Sequence, residues 1–535
     1  MKIFGFVPLG FEGELVSIEA DLRRTIPGFD LVGLPDGAVR EARERVRAAL
    51  RNTGFAFPQE RVLINLSPAG VKKEGAAFDL PIAIAVLMQS GQIPVSSSAR
   101  VTSPAGRDGA EIMVVGELNL SGAVRPVSGI IAAVLKAAES GIPYVMVPEE
   151  NRKEAETPGY GKIIPVKSLH EAAAFTARVA AGADISTGAD ISVQMMCGEN
   201  GESGKGPEIS AFGDFSDIKG HGVLKRALEV AAAGRHNLFL FGPPGSGKTM
   251  AARRFPSILP ALSGPQAIEV SKIYSLAGKL DKETGLITRP PFRMPHHSAS
   301  QEGIIGGGKG LQPGEISFAH LGVLFLDEAP EFKKSILQSL REPLEAGKVS
   351  IARASNNYWF PADFQLLLAA NPCPCGNLGR DDKVCMCSIQ EIEGYWKKIG
   401  GPLMDRIDIR VPIQPVKADM IFTETGESSA AVRKRVIQAR KIQENRYRKL
   451  QFSSNSGIPA GMINSICTLS REAREGFGTA VEKLGLSSRA CHSILKIART
   501  IADLDGKENI NKEHLYEAVQ HRRYGDGDYF WSERF

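Results

Sequence analysis

The apolar positions of this chain change rhythm along its length, and each rhythm predicts a different kind of element. Up to about residue 175, short strand-like runs alternate with helix-like stretches. Leu15–Ala20, Arg61–Asn65 and Tyr144–Val147 read as strands, Asp36–Asn52 as an amphipathic helix rich in Arg and Glu, Pro81–Gln89 as a buried helix and Gly129–Ser140 as a further helix. Met113–Leu118 and Val124–Pro126 predict a hairpin about Ser121-Gly122. From Val179 to Gly213 the pattern dissolves into Gly, Ser, Ala, Asp and Glu, with Gly-Ala-Asp-Ile-Ser at 182–186 nearly repeated at 188–192. Such a composition predicts a flexible linker. Continuous apolar runs follow at Leu238–Phe241, Val323–Leu326 and Phe364–Ala370, the signature of strands covered on both faces of a parallel sheet. Ser335–Ala346 reads as a helix, and Lys348–Arg353 with Tyr358–Phe360 as a hairpin. The last stretch is helical over Ala430–Leu450, Ser470–Leu484, Ser487–Asp503 and Asn511–His521, with caps at Ser470, Ser487 and Asn511.

These rhythms divide the 535 residues into a domain over 1–178, a linker over 179–213, an α/β core over 214–425 and a helical region over 426–535. With 43% hydrophobic and 23% charged residues the composition is that of a soluble globular protein, and a net charge of +5 is too mild to argue for nucleic acid by itself. The chain has no apolar run long enough to span a bilayer, and its first residues fit no signal peptide. A cytoplasmic protein without a membrane partner is expected.

The chemistry concentrates around residue 245. Gly242-Pro243-Pro244-Gly245-Ser246-Gly247-Lys248-Thr249 directly follows the Leu238–Phe241 run and opens a helix, which is the context a P-loop requires. Its glycines let backbone N–H groups curl around phosphates, Lys248 neutralises the β/γ-phosphates of ATP, and the Thr249 hydroxyl reaches Mg²⁺. The Val323–Leu326 run ends in Asp327-Glu328. Asp327 is expected to hold the Mg²⁺ through water, and Glu328 to act as the general base on the attacking water.

Four of the seven cysteines fall at Cys373, Cys375, Cys385 and Cys387, a grouping that suits tetrahedral Zn²⁺ better than disulfides. The adjacent His296 and His297 lie on a stretch read as extended, where neighbours point opposite ways, so they are not expected to share an ion. Ala430–Leu450 carries eight Lys or Arg and the single acid Glu444, a face that could meet DNA.

Two resemblances then become visible. Gly116-Glu-Leu-Asn-Leu-Ser-Gly-Ala-Val-Arg-Pro-Val-Ser-Gly129 and Gly141-Ile-Pro-Tyr-Val-Met-Val-Pro148 resemble the proteolytic domain of the Lon proteases, a ribosomal S5 domain 2-like α+β fold. The family's Ser nucleophile and Lys base fall on Ala77 and Ala133, so peptidase activity is not expected. Arg289-Pro-Pro-Phe-Arg-Met-Pro-His-His-Ser-Ala-Ser300, with Gly303-Ile-Ile-Gly-Gly-Gly308 and Pro313-Gly-Glu-Ile-Ser-Phe-Ala-His320, is closely similar to the ComM/YifB family of magnesium-chelatase-like AAA+ ATPases.

That resemblance implies an AAA+ P-loop α/β/α core and an α-helical lid around the P-loop. It implies Asn371 as the sensor 1 that positions water, Arg406 as a finger reaching a neighbour's γ-phosphate, and Arg489 as the sensor 2 that touches ATP from the lid. Asp214–His221 resembles the segment that packs on adenine, although a Gln is more usual where His221 stands. Lys309, in a glycine loop, and Lys348 and Arg353, on a hairpin directed into a ring channel, become candidates for gripping DNA. The resemblance implies a homohexamer that migrates single-stranded or branched DNA during natural transformation. The alternative is a chelatase-type motor remodelling a protein partner.

Overall fold

The computed structural model describes residues 1–94, 110–181, 212–281, 283–308, 310–353, 356–378, 380, 383–416 and 426–522, the side chains of Arg353 and Asn356 excepted. Residues 182–211 of the expected linker therefore lie outside the described part. The chain forms two compact units that interleave along the sequence. The first comprises Met1–Gly204, Ser263–Thr288 and Ala352–Trp359, and the second Lys205–Leu262, Arg289–Ile351 and Phe360–Phe535.

The first unit is built on strands β1 (Lys2–Leu9), β2 (Glu12–Arg23), β3 (Gly28–Val32), β4 (Arg61–Ser67), β5 (Glu111–Val114), β8 (Tyr144–Pro148) and β9 (Lys162–Val166), in the sheet order β3-β4-β2-β1-β5-β8-β9. A short hairpin of β6 (Glu117–Leu118) and β7 (Val124–Arg125) stands beside it. The expected hairpin is thus smaller than its apolar pattern suggested. Residues 111–114 instead pair in parallel with β1 and β8, where both faces are buried.

Helix Gly37–Asn52 starts where the Asp36 carboxylate accepts the Val39 N–H at 2.8 Å, and it buries Val39, Ala42, Val46, Ala49 and Leu50. The buried pair Arg45–Asp79 ties that helix to helix Asp79–Gln89, with two hydrogen bonds of 2.6 and 2.9 Å. Helix Gly264–Leu276 also belongs to this unit. It packs on helix Ile130–Ser140, and Gly129 N–H donates to the Ser275 carbonyl at 2.9 Å.

The second unit holds an all-parallel sheet in the order β11-β14-β17-β10-β18, made of β10 (Leu238–Phe241), β11 (Phe292–Arg293), β14 (Val323–Leu326), β17 (Gln365–Ala370) and β18 (Ile409–Pro412). Pleating divides its apolar residues between two cores. Leu238, Leu240, Phe325, Leu367 and Ala369 enter one, and Phe239, Leu324, Leu326, Leu366 and Leu368 the other. The unbroken apolar runs in the sequence have this cause. Two small pairs complete the strands, β12 (Gly306–Gly307) with β13 (Gln312–Pro313), and β15 (Lys348–Arg353) with β16 (Asn356–Pro361). The predicted helix over 335–346 is split into Lys334–Ser339 and Arg341–Ala346, because Pro343 has no N–H to continue the ladder. Helices Ser429–Tyr447, Arg471–Leu484, Ser488–Leu504 and Lys512–Arg522 follow. Ser470, Ser487 and Asn511 accept at the N-termini of the last three, at 3.2, 3.2 and 3.0 Å.

Candidate nucleotide site

Three adjacent strands of the parallel sheet, β14, β17 and β10, end at the same edge, beside a cleft of about 380 Å³ lined by Asp327, Asn371 and the loop that follows β10. Ligands of open parallel sheets bind at such carboxyl ends. From β10 comes Gly242, from β14 Asp327 and from β17 Asn371. Gly242 must be glycine, since a Cβ would stand 2.0 Å from the Ile413 carbonyl. Pro243 and Pro244 then turn the chain, and Gly245 and Gly247 take φ of +78° and +88° before helix Lys248–Arg254 begins. The buried Ser246 Oγ has no hydrogen-bond partner among the described residues.

Lys248 is 7% exposed, and its Nζ donates to the Gly242 and Pro243 carbonyls at 2.7 and 2.9 Å and to Asn371 Oδ1 at 3.2 Å. Burial among these neutral oxygens pulls its pKa down to about 8, against the opposing pull of Asp327 and Glu328. Thr249 Oγ1 donates to Asp327 Oδ2 at 2.7 Å, which brings a hydroxyl and a carboxylate to one point. Glu328 adopts φ +50°, a strained value for a residue with a side chain, and its half-exposed side chain lines the cleft. His221 lies close to the loop, its Nε2 3.7 Å from where a Cβ on Gly247 would stand.

Sequence reasoning missed one member of this group. His297 Nδ1 approaches Glu328 Oε2 to 3.8 Å. The His296 and His297 rings do not point apart but lie 4.1 Å from each other, because the chain turns at this point, with Ala299 N–H donating to the His296 carbonyl at 2.9 Å. A His-His pair inside a turn, and not in an extended run, was the signal available.

Arg406 and Arg489 occupy different ground. Neither lines the P-loop cleft of this chain. Both arginines line a second cavity of about 930 Å³ and converge on Glu345, which Arg489 Nη2 meets at 3.3 Å. Two guanidiniums on one carboxylate leave positive charge in excess. Burial and then the neighbouring Arg489 push the Arg406 pKa below its ordinary value, and the buried Arg406 Nε has no hydrogen-bond partner among the described residues. Behind them His236 bridges Asp408 (3.0 Å) and Thr500 (2.8 Å), joining the segment that carries Arg406 to helix Ser488–Leu504.

The four cysteine sulfurs at 373, 375, 385 and 387 lie within 4.8 Å of one another, and three of the separations are 3.4, 3.6 and 3.6 Å. A tetrahedral zinc with Zn–S bonds of ~2.3 Å demands sulfurs about 3.8 Å apart, so this donor set fits that ion. The Leu378 N–H, 3.3 Å from Cys373 Sγ, supplies the supporting hydrogen bond usual around such thiolates.

Of the DNA candidates, Lys348 is exposed at the start of β15, Lys309 lies outside the described residues, and the Arg353 side chain is likewise outside them. Within the first unit the second strand of the hairpin is anchored at Trp359. Trp359 accepts the Phe11 N–H at 3.0 Å, its ring lies 5.3 Å from that of Phe11, and Lys272 Nζ sits 4.2 Å above Phe11. Four of the eight basic residues over 430–450 bind groups of the same unit. Arg433 binds the Ser257 carbonyl, Arg435 pairs with Glu427 and Glu229, Arg440 binds the Ala232 carbonyl and Arg446 grips Asp503. Lys434, Lys441, Arg448 and Lys449 stay exposed. In the first unit Ala77 lies in the short turn Ala76–Phe78, and Ala133 is buried in helix Ile130–Ser140.

Family profiles described as magnesium chelatase subunit ChlI, as the subunit ChlI of Mg-chelatase and as its C-terminal region match residues 214–421, 18–151 and 426–522. The competence protein ComM of Haemophilus influenzae is 38% identical over 525 residues, 97% of this chain and 97% of its own length. The uncharacterised protein YifB of Escherichia coli is 38% identical over 522 residues, 96% of this chain and 95% of its own. Shorter stretches match a Lon protease of Trichlorobacter lovleyi (26% over 171 residues, 30% of this chain and 19% of that protein) and the magnesium-chelatase 38 kDa subunit of Rhodobacter capsulatus (27% over 188 residues, 32% and 53%). A P-loop cleft at the edge of a parallel sheet, with end-to-end similarity of this degree, makes the chain a member of the ComM/YifB family of magnesium-chelatase-like AAA+ ATPases.

Proposed function

We propose that the chain is one subunit of a cytoplasmic homohexameric ring that hydrolyses ATP to move on DNA, migrating branch points of recombination intermediates during natural transformation. The observation that carries the motor half is the division of reacting groups between two cavities of one chain, with Lys248, Thr249, Asp327, Glu328 and Asn371 in one and Arg406 and Arg489 in the other. Such a subunit is complete only when a second copy brings its arginine pair to the first copy's phosphates. Glu345 then stands in for the phosphate oxygens those arginines seek.

In this reading the backbone N–H groups of the loop and Lys248 bind the phosphates. The converging oxygens of Thr249 and Asp327 suit Mg²⁺, which supplies charge neutralisation at the phosphates. Glu328 takes the proton of the attacking water and Asn371 helps orient it. The neighbour's Arg406 and Arg489 neutralise the charge that develops on the transferred group, with His221 near the base. Cys373, Cys375, Cys385 and Cys387 hold a structural Zn²⁺. The first unit is a Lon-like fold without its nucleophile, used for docking or assembly, and the C-terminal helices act as the lid.

DNA as substrate is supported by the name of the competence protein and by exposed Lys348, with Arg353 and Lys309 as its companions. A chelatase-type motor acting on a protein partner is the second reading, favoured by the description all three family profiles carry. Steady-state ATPase activity, measured with and without single-stranded and branched DNA, separates the two. Stimulation by DNA and its loss in Glu328→Gln are expected, followed by branch migration on a synthetic junction. ATP hydrolysis indifferent to every DNA would sink the DNA reading.

A further inference from the structure

The cysteine loop is not remote from the nucleotide cleft. It leaves β17 at Asn371, and at Gly376 (φ +76°) it lies so close to the P-loop that a Cβ there would meet Pro244 Cγ at 2.6 Å and Cδ at 2.9 Å, with Asn371 Cγ 4.0 Å away. Two residues past Cys387, helix Ile389–Lys397 begins, and its Trp396 returns to the same strands. The indole N–H donates to the Pro372 carbonyl at 3.1 Å, and the ring stands edge-on to Phe239 and Phe241 of β10 at 5.7 and 6.4 Å. The stretch 371–397 therefore meets the nucleotide loop at Gly376 and the strand that leads into it at Trp396. Between these anchors the described residues from 373 to 388 form neither helix nor strand. A loop of this length holds a fixed shape only if something closes it. The four converging sulfurs are the groups available to do so.

We infer that zinc held by Cys373, Cys375, Cys385 and Cys387 sets the competence of the ATP site, and does not merely staple a surface loop. Tying 373–375 to 385–387 presses Gly376 on Pro244 and keeps the Asn371 carboxamide against Lys248. When the metal leaves, the wall of the cleft formed by Pro244 and Asn371 loosens, and nucleotide affinity falls with it. The inference rests on the reading of 242–249 as the ATP site.

The test uses the full chain. Metal content is measured by mass spectrometry, and affinity with a fluorescent ATP analogue, on wild type, on zinc-stripped and zinc-reconstituted wild type, and on Cys385→Ser/Cys387→Ser. One zinc per chain is expected. Its removal should weaken binding about tenfold or more, as misplacement of a site by about an ångström commonly does. Far-ultraviolet dichroism should hold while Trp396 emission shifts, and added Zn²⁺ should restore affinity. Stripped wild type keeps the test valid where the double variant fails to fold. Absence of bound zinc, or zinc whose removal leaves affinity unchanged, would overturn the inference. A wild type that holds zinc and binds no nucleotide would instead remove the reading of 242–249, and this inference with it.

Discussion

The Lys248 ammonium is buried against neutral oxygens, so its proton is loosely held near pH 8. A phosphate would hold that proton more firmly, so nucleotide binding should be accompanied by proton uptake above this pH. Affinity is then fully present below about pH 8 and declines above it by up to about one decade per pH unit. Calorimetric titration in buffers of different ionisation enthalpy measures the uptake directly, and Lys248→Arg should flatten the profile. The sign follows from the direction of the shift, since the free site has the lowered pKa and the occupied site the ordinary one. The groups around Lys248 were legible in the sequence because a P-loop is local, with strand, loop and helix contiguous. The His297–Glu328 contact was not, because it depends on a turn at 296–299 that brings two distant segments together. Arg489 was assigned by resemblance, and its contact with Glu345, 144 positions earlier in the chain, has no local signature in the sequence.

Helix Ser429–Tyr447 shows how an element can carry a charge pattern for internal reasons. Four of its arginines reach carbonyls or carboxylates of the same unit, and only its lysines and its last basic residues face out. Arg446→Ala removes a charged hydrogen-bonded partner from buried Asp503 and should cost ~2 kcal/mol in chemical denaturation. Lys434→Ala with Lys441→Ala should change stability by only a few tenths of a kcal/mol. If the exposed lysines meet nucleic acid, their loss lowers the salt dependence of binding while Arg446→Ala leaves it unchanged. The capped helices and the parallel strands were readable in the sequence, since caps and unbroken apolar runs have one structural meaning. The split at Leu340 was marked by Pro343. The strand Glu111–Val114 was not separable from the hairpin beside it, because a short apolar run gives no sign of which sheet will take it.

For the whole molecule, the proposed function turns on one chain carrying the P-loop groups and the arginine pair in different cavities. Subunits with Lys248→Ala and subunits with Arg406→Ala should each be inactive alone. Mixed and reassembled, they should regain ATPase activity at the interfaces that combine an intact P-loop with an intact arginine, about a quarter of them under random mixing. A mixture as inactive as its components would mean that Arg406 serves its own chain. The interleaving of the two units was invisible in the sequence. Nothing in the periodicity of 263–288 says that helix Gly264–Leu276, with buried Ala267, Val270, Ile273 and Leu276, belongs with residues more than a hundred positions earlier.

That helix constrains the gene as well as the protein. A deletion removing residues 1–204 would leave Gly264–Leu276 behind with its apolar side bare, so the shortened product should aggregate in expression trials while the full chain does not. The amino-terminal portion is therefore not a separable cassette of this chain, because the two later segments complete it.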